Sequence, residues 1–194
     1  MIKISFSGCP GAGKTSLLNE AKKILSLKEQ VESLEDLSKK NPFDTDKKLS
    51  FIRQFYSLTH QINEENLKAL TSPDLLFCDT SILDQWVHWK RHVNDSEQNN
   101  HSEEKNQLLH HLYNFWINTY DIVFIIRVDP NILETRKDTE KLELPDEDYL
   151  KATESFYQKI IEEDNLKVIE IWNNNSVDES AHDMIKHITE FQQS

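Results

Sequence analysis

The sequence predicts an α/β fold in three layers, a parallel sheet with helices on both faces, and three observations carry that prediction. LLFCD (75–79) and DIVFIIRVD (121–129) are almost wholly apolar, as strands buried on both faces are. Segments of strand and helix character alternate along the chain. A glycine-rich turn joins the first strand-like segment to the first helical one, the context in which a phosphate-binding loop is built.

The elements follow in order. MIKISFS (1–7) alternates apolar and polar side chains around Ile2, Ile4 and Phe6 and reads as a strand. From Lys14 the spacing turns helical, with Leu17, Leu18, Ala21, Ile24 and Leu25 recurring. A short second strand is expected around Gln30–Leu34. Residues 51–70 form a long amphipathic helix through Phe51, Ile52, Phe55, Leu58, Ile62 and Leu67, broken by Ser72-Pro73-Asp74. The strand 75–79 and a helix from Ile82 to Val93 come next. NDSEQNNHSEEK (94–105) is polar and aperiodic, and is expected to be a mobile loop. A helix over 104–118, the strand 121–129 and a helix over 130–137 follow. The charged stretch 136–147 has the character of a lid. A helix over 146–163, a strand over 166–172 and a helix over 177–192 complete the chain, expected to be a single domain over 1–194.

Composition narrows the partners. The net charge of −12 disfavours a phosphodiester backbone, so duplex nucleic acid is not expected as a partner, although one cleft can still be basic. Cys9 and Cys78 are the only cysteines, which fits free thiols and a cytoplasmic setting. Apolar runs are too short to span a bilayer, and MIKISFSGC lacks the apolar stretch of a leader, so no membrane partner is expected. The sequence leaves the oligomeric state open, a homodimer included.

GCPGAGKT (8–15) holds all three glycines of the 194 residues. Gly8, four residues and Gly13-Lys14-Thr15 match G-x-x-x-x-G-K-[ST], between a strand and a helix. Backbone N–H groups wrap a phosphate only where no Cβ blocks their approach, and glycine also permits positive φ. The nucleotide-binding set is Gly8, Pro10, Gly11, Ala12, Gly13, Lys14, Thr15 and Ser16. Lys14 is expected to bridge β- and γ-phosphates, and the Thr15 hydroxyl to take Mg²⁺. Glycine scarcity removes the D-x-x-G switch of GTPases and the glycine-bearing signature of transporter ATPases. Length argues against an AAA+ module with a helical lid domain. Small kinases remain.

Asp79 ends a buried strand, where α/β sheets bind ligands. It is read as a holder of Mg²⁺ or an acceptor of the attacking hydroxyl's proton, against the alternative of a cap for the next helix. Among Glu32, Glu35 and Asp36, Glu35 is taken as a candidate base, a solvated acidic turn being the alternative. Arg136, with Lys137 and Lys141, is the candidate to close over the transferring phosphate. Arg53, Arg91 and Arg127 are further anion candidates. For an acceptor pocket, Gln54 with Phe55 or Tyr56 is read as hydrogen-bonding and stacking a ring, and Trp86 or Trp89 as a wall. Aromatics at helical spacing also suit a core. His88 and His92 lack a third metal ligand.

SGCPGAGKTSLL, LLFCDTSILDQWVHW and YDIVFIIRVDPNILETRKD together resemble the P-loop nucleoside and nucleotide kinases. The likeness is greatest to the nicotinamide-riboside kinase domain of the bacterial NAD regulator, with deoxynucleoside and thymidylate kinases as neighbours. The resemblance implies a P-loop fold with a five-stranded parallel sheet, ATP as donor, Mg²⁺, and a nucleoside-like acceptor met by Gln or aromatics near 51–56. Such kinases carry Asp-Arg or Glu-Arg after the third strand, where this chain has Asp79-Thr80.

The leading expectation is an ATP-dependent kinase acting on a nucleoside, nucleotide or related riboside. The alternatives are an ATP-binding regulatory or assembly ATPase without a small acceptor, and a kinase of a nucleic-acid hydroxyl.

Overall fold

A computed structural model describes residues 1–37, 40–43, 50–95, 103–140 and 144–193. The order is β1 (Ile2–Ser7), α1 (Lys14–Leu25), β2 (Val31–Leu34), α2 (Ser50–Ala69), β3 (Leu75–Asp79) and α3 (Ile82–Asp95). Then come α4 (Glu103–Ile117), β4 (Ile122–Arg127), α5 (Pro130–Glu140), α6 (Glu147–Glu163), β5 (Ile169–Trp172) and α7 (Val177–Gln192). The five strands form one parallel sheet in the order β2-β3-β1-β4-β5. The chain therefore reverses direction across β1, and ligands of such sheets bind beyond the strand ends at that point.

Alternation along the strands makes two cores. Ile4, Phe6, Leu75, Phe77, Phe124 and Ile126 face α1 and α7, where the Phe6 ring meets Phe77 at 5.2 Å and Phe124 at 5.8 Å. Leu76, Cys78, Val123 and Ile125 face α2, α3, α4 and α6. In β1 the second face is polar, carrying Lys3, Ser5 and Ser7, and all three are buried. An alternating pattern usually marks a strand with one wet face. Here β1 is central, and its polar face is a seam inside the protein.

At the lower end of the seam, Lys3 Nζ pairs with Glu65 of α2 at 2.6 Å and donates to Thr119 Oγ1 at 2.6 Å. It also lies over the rings of Trp116 and Tyr120. Glu65 accepts further from Trp116 Nε1 and Tyr120 Oη, both at 2.6 Å. A buried pair is tolerable when its remaining lone pairs are satisfied in this way.

Sequence boundaries hold closely, with three differences, one being that the strand expected over 166–172 begins only at Ile169. The segment expected as a loop over 94–105 is helical at both ends, in α3 through residue 95 and in α4 from residue 103, and its centre lies outside the described residues. The helix after β4 runs to residue 140, into the expected lid. Polar residues can continue a helix without an apolar stripe to announce it.

Lys3→Met leaves Glu65 a buried charge without its cation and is expected to cost about 3–5 kcal/mol. Most of that loss returns in Lys3→Met/Glu65→Gln, as read from denaturant midpoints of the two variants.

Candidate functional site

Gly8 leaves the end of β1 at φ 142°, and a Cβ there would lie 2.3 Å from the Ile126 carbonyl oxygen. Gly13 caps α1 at φ 91°, and its Cβ would meet the Asn173 amide nitrogen at 2.3 Å. The loop needs glycine both for its turn and for what packs against it. Lys14 Nζ lies back across the loop, donating to the Gly8 carbonyl at 2.6 Å and the Cys9 carbonyl at 3.4 Å. Ala12 is buried beneath the loop, Pro10 borders the cavity described below, and Ser16 is exposed on α1.

Thr15 Oγ1 donates to Asp79 Oδ2 at 2.5 Å, while Asp79 Oδ1 is buried without a hydrogen-bond partner. Burial raises the Asp79 pKa; the Thr15 hydroxyl and Lys14 pull the other way. A carboxylate with one orphaned oxygen, beside a hydroxyl, is a donor set for a hard divalent cation, so these residues fit Mg²⁺. Asp79 is followed by Thr80 at φ 72°, a left-handed conformation that costs a β-branched residue about 1–3 kcal/mol.

Asp84, which the sequence reading did not single out, joins the parts. Its carboxylate accepts from Ser7 Oγ and Ser81 N–H at 2.7 Å, Tyr157 Oη at 2.6 Å and Gly8 N–H at 3.3 Å. Ser81 Oγ in turn accepts from Leu83 N–H at 3.1 Å, completing a capping box at the start of α3. The S-x-x-D spacing that announces this box was legible in SILD (81–84). Its reach to the phosphate loop was not.

Beside the loop opens a cavity of about 480 Å³. Gly8, Lys14, Asp84 and Thr80 form its floor; Arg53, Gln54, Gln85, Trp89 and Arg91 form much of its wall. Gln54 Nε2 donates to the Gln85 carbonyl at 2.7 Å, and the Arg91 guanidinium stacks on Tyr149 of α6 at 3.6 Å. His88 also borders the space, and burial lowers its pKa, so it is neutral at physiological pH.

Three expectations need correction. Glu35, just past the end of β2, is exposed and the neighbouring Asp36 borders the cavity. Phe55 is 37% exposed and stacks on Phe51, away from the cavity that Arg53 and Gln54 reach. Trp86 is core, stacked on Tyr113 at 5.3 Å and His110 at 5.1 Å; Trp89, one turn later, takes the wall.

On the other side of the loop, Arg136 Nη2 donates to the Asn173 carbonyl at 2.7 Å, and Asn173 Nδ2 donates to the Ala12 carbonyl at 2.9 Å. Arg136 is thus brought to the loop, through a residue after β5 that no local motif announces. Lys137 borders a separate space of about 420 Å³ between the loop, α5 and α6. Lys141 lies outside the described residues. Arg127 is tied to Glu154 and, at 2.8 Å, to Glu170, so it braces β4 and is not an anion site. Burial pushes the Cys9 thiol up to about 11, which keeps it protonated and out of nucleophilic chemistry. No group of three or more His, Cys, Asp or Glu is placed to hold a metal among the described residues, His88 and His92 included. Nor is any described helix long and apolar enough to cross a membrane.

A family model described as an AAA domain matches residues 3–179. The chain belongs to that family. The match spans the P-loop core and stops within α7. Deoxyadenosine kinase from M. mycoides has the same fold. Its structure with the products dCMP and dCDP aligns at TM-score 0.71, and that with bound dCTP at 0.70. Each is 20% identical, covering 97% of this chain and 100% of the other. No curated protein sequence matches the chain.

The raised Asp79 pKa means that ionisation costs the folded state, so this group's contribution to stability is full below the ordinary carboxylate range and is lost as pH rises above that range through the raised value. Asp79→Asn is expected to raise the thermal midpoint without ligand at pH 7 by about 2–4 °C, the response of a chain this size to about 1 kcal/mol. The same variant should lose the Mg²⁺-dependent part of ATP stabilisation. Differential scanning calorimetry with and without Mg²⁺·ATP reads both.

Proposed function

We propose that this protein is an ATP-dependent kinase that phosphorylates a nucleoside, nucleotide or related riboside. The observation that carries the reading is the cavity of about 480 Å³ that shares Gly8, Pro10 and Lys14 with the phosphate loop and is lined by Asp84 beside it. An acceptor held there meets the end of a triphosphate bound in the loop. A regulatory ATPase without an acceptor needs no such space, and a cavity of this size suits a small molecule better than a nucleic-acid strand. Support also comes from the fold shared with a deoxyadenosine kinase whose structures hold dCTP, dATP and the products dCMP and dCDP.

In this mechanism the loop N–H groups and the N-terminus of α1 bind the phosphates of ATP. Lys14 leaves the Gly8 carbonyl, its partner here, and bridges the β- and γ-phosphates. Thr15 and Asp79 would hold Mg²⁺, which supplies charge neutralisation at the phosphates. Arg53, Gln54, Gln85 and Trp89 orient the acceptor, giving hydrogen bonds at its edge and an aromatic wall at its face. Asp36 accepts the proton of the attacking hydroxyl. Arg91 supplies positive charge on the side where Thr80 replaces the arginine of the resembled kinases, and Arg136 attends the phosphates from the α5 side.

A screen of nucleosides, nucleotides and ribosides with radiolabelled ATP tests the reading, with Lys14→Ala as control. At least one acceptor should be labelled, and Lys14→Ala should lower its kcat about 100-fold or more. Turnover equal to that control with every acceptor rejects the proposal. Arg91→Ala should raise the KM of the true acceptor about tenfold while leaving the KM for ATP within about twofold.

A further inference from the structure

Gln61 of α2 is fully buried and does not border the cavity, yet it holds one of the site's backbone groups. Its Nε2 donates to the Thr80 carbonyl at 3.1 Å and to Glu65 Oε1 at 2.7 Å. Both neighbours accept only, so the amide can face them only through its nitrogen. The consequence is visible on its other side: Gln61 Oε1 is buried with no partner. An orphaned acceptor is unfavourable and persists where the surrounding structure over-determines the orientation.

The surroundings do so here. Glu65 cannot turn away, because Lys3, Trp116 and Tyr120 all hold its carboxylate at 2.6 Å. The Tyr120 oxygen also receives the Ile82 N–H at 3.4 Å. One network rooted on β1, α2 and the end of α4 therefore grips the chain at residues 80 and 82, on both sides of the Ser81 cap.

The gripped segment is the strained one. Thr80 has φ 72°, its N–H donates to the Phe6 carbonyl at 3.2 Å, and its own carbonyl is the acceptor for Gln61. The peptides before and after its Cα are thus both clamped. If the second clamp opens, a β-branched residue relaxes toward negative φ, and the peptide turns beside Asp79 and the Ser81–Asp84 cap.

We propose that Gln61 is a positioning residue for phosphoryl transfer, which by holding the Thr80 carbonyl maintains the turn that aims Asp79 at the Thr15 hydroxyl. The inference rests on the kinase reading above, and its effect on Asp79 gives it a second readout in metal-dependent nucleotide binding.

Gln61→Met keeps the volume and removes both donors, and Thr80→Gly makes the left-handed conformation unstrained. Wild type, the two single variants and the double variant are compared in phosphoryl transfer and in calorimetric ATP titrations, with Mg²⁺ and with EDTA. Gln61→Met should lower kcat about tenfold, with acceptor KM changed less than about twofold. It should weaken Mg²⁺·ATP binding and leave metal-free ATP binding unchanged. In the Thr80→Gly background the kcat loss should shrink to about threefold or less, because the strain that Gln61 restrains is gone. Equal losses in both backgrounds overturn the inference. So does an equal weakening of ATP with and without metal, which marks general loosening of the fold. If Gln61→Met does not fold, Gln61→Asn, too short to reach both acceptors, replaces it in the same comparison. If wild type labels no acceptor the kinase reading fails separately, and the paired ATP titrations still decide the role of Gln61.

Discussion

The carboxylate of Asp84 is the junction on which the site depends. It is buried, with 2% of its residue surface exposed, and its partners come from four parts of the chain: Ser7 ending β1, Gly8 opening the phosphate loop, Ser81 capping α3, and Tyr157 of α6. A buried carboxylate is costly unless each lone pair is met, and hydrogen bonds to a charged acceptor are the strong ones. Meeting those lone pairs ties the end of β1, the phosphate loop, the start of α3 and α6 to one geometry. The loop is therefore shaped before any nucleotide arrives.

A second buried carboxylate, Glu65, does the same at the lower end of β1, and the polar face of that strand runs between them. The apolar layers give the molecule its burial; this seam gives it register. α2 is the element that reads both ends. Its Gln54 reaches the cavity wall, its Gln61 the strained turn after Asp79, and its Glu65 the ion pair with Lys3. The strain at Thr80, the orphaned oxygen of Asp79 and the raised pKa of that group all lie at the strand end where ligand binding is proposed. Functional sites concentrate unfavourable local choices of this kind, and the surrounding packing offsets them.

Much of this was legible along the chain. Among the described residues all five strands and seven helices were anticipated, because two apolar strands and strong helical periodicity leave little else open, and the phosphate loop was read from spacing and glycine alone. The differences at the site fell on single residues. Of those expected there, Arg53 and Gln54 border the cavity and Glu35, Phe55 and Trp86 do not, while Asp36 and Trp89 do. For Phe55 and Trp86 the helix was right and the side chain's direction was not, since a shift of one residue on a helix moves a group to another face. Asp84 advertised a helix cap and concealed its contact with the loop. Asn173 advertised nothing: its role comes from where β5 ends in space.

The sequence by itself determined the fold class, the order of elements and the chemistry of the phosphate loop, because these follow from local periodicity and from where Cβ atoms are absent. The tertiary structure decided which carboxylates meet the site, that β1's polar residues are inside, and that residues 54, 84, 91, 149 and 157 surround one cavity. Local pattern sets a residue's face on its own element. Only the packing of elements sets what that face meets, and buried charges, intolerant of a missing partner, are where that packing is most tightly specified.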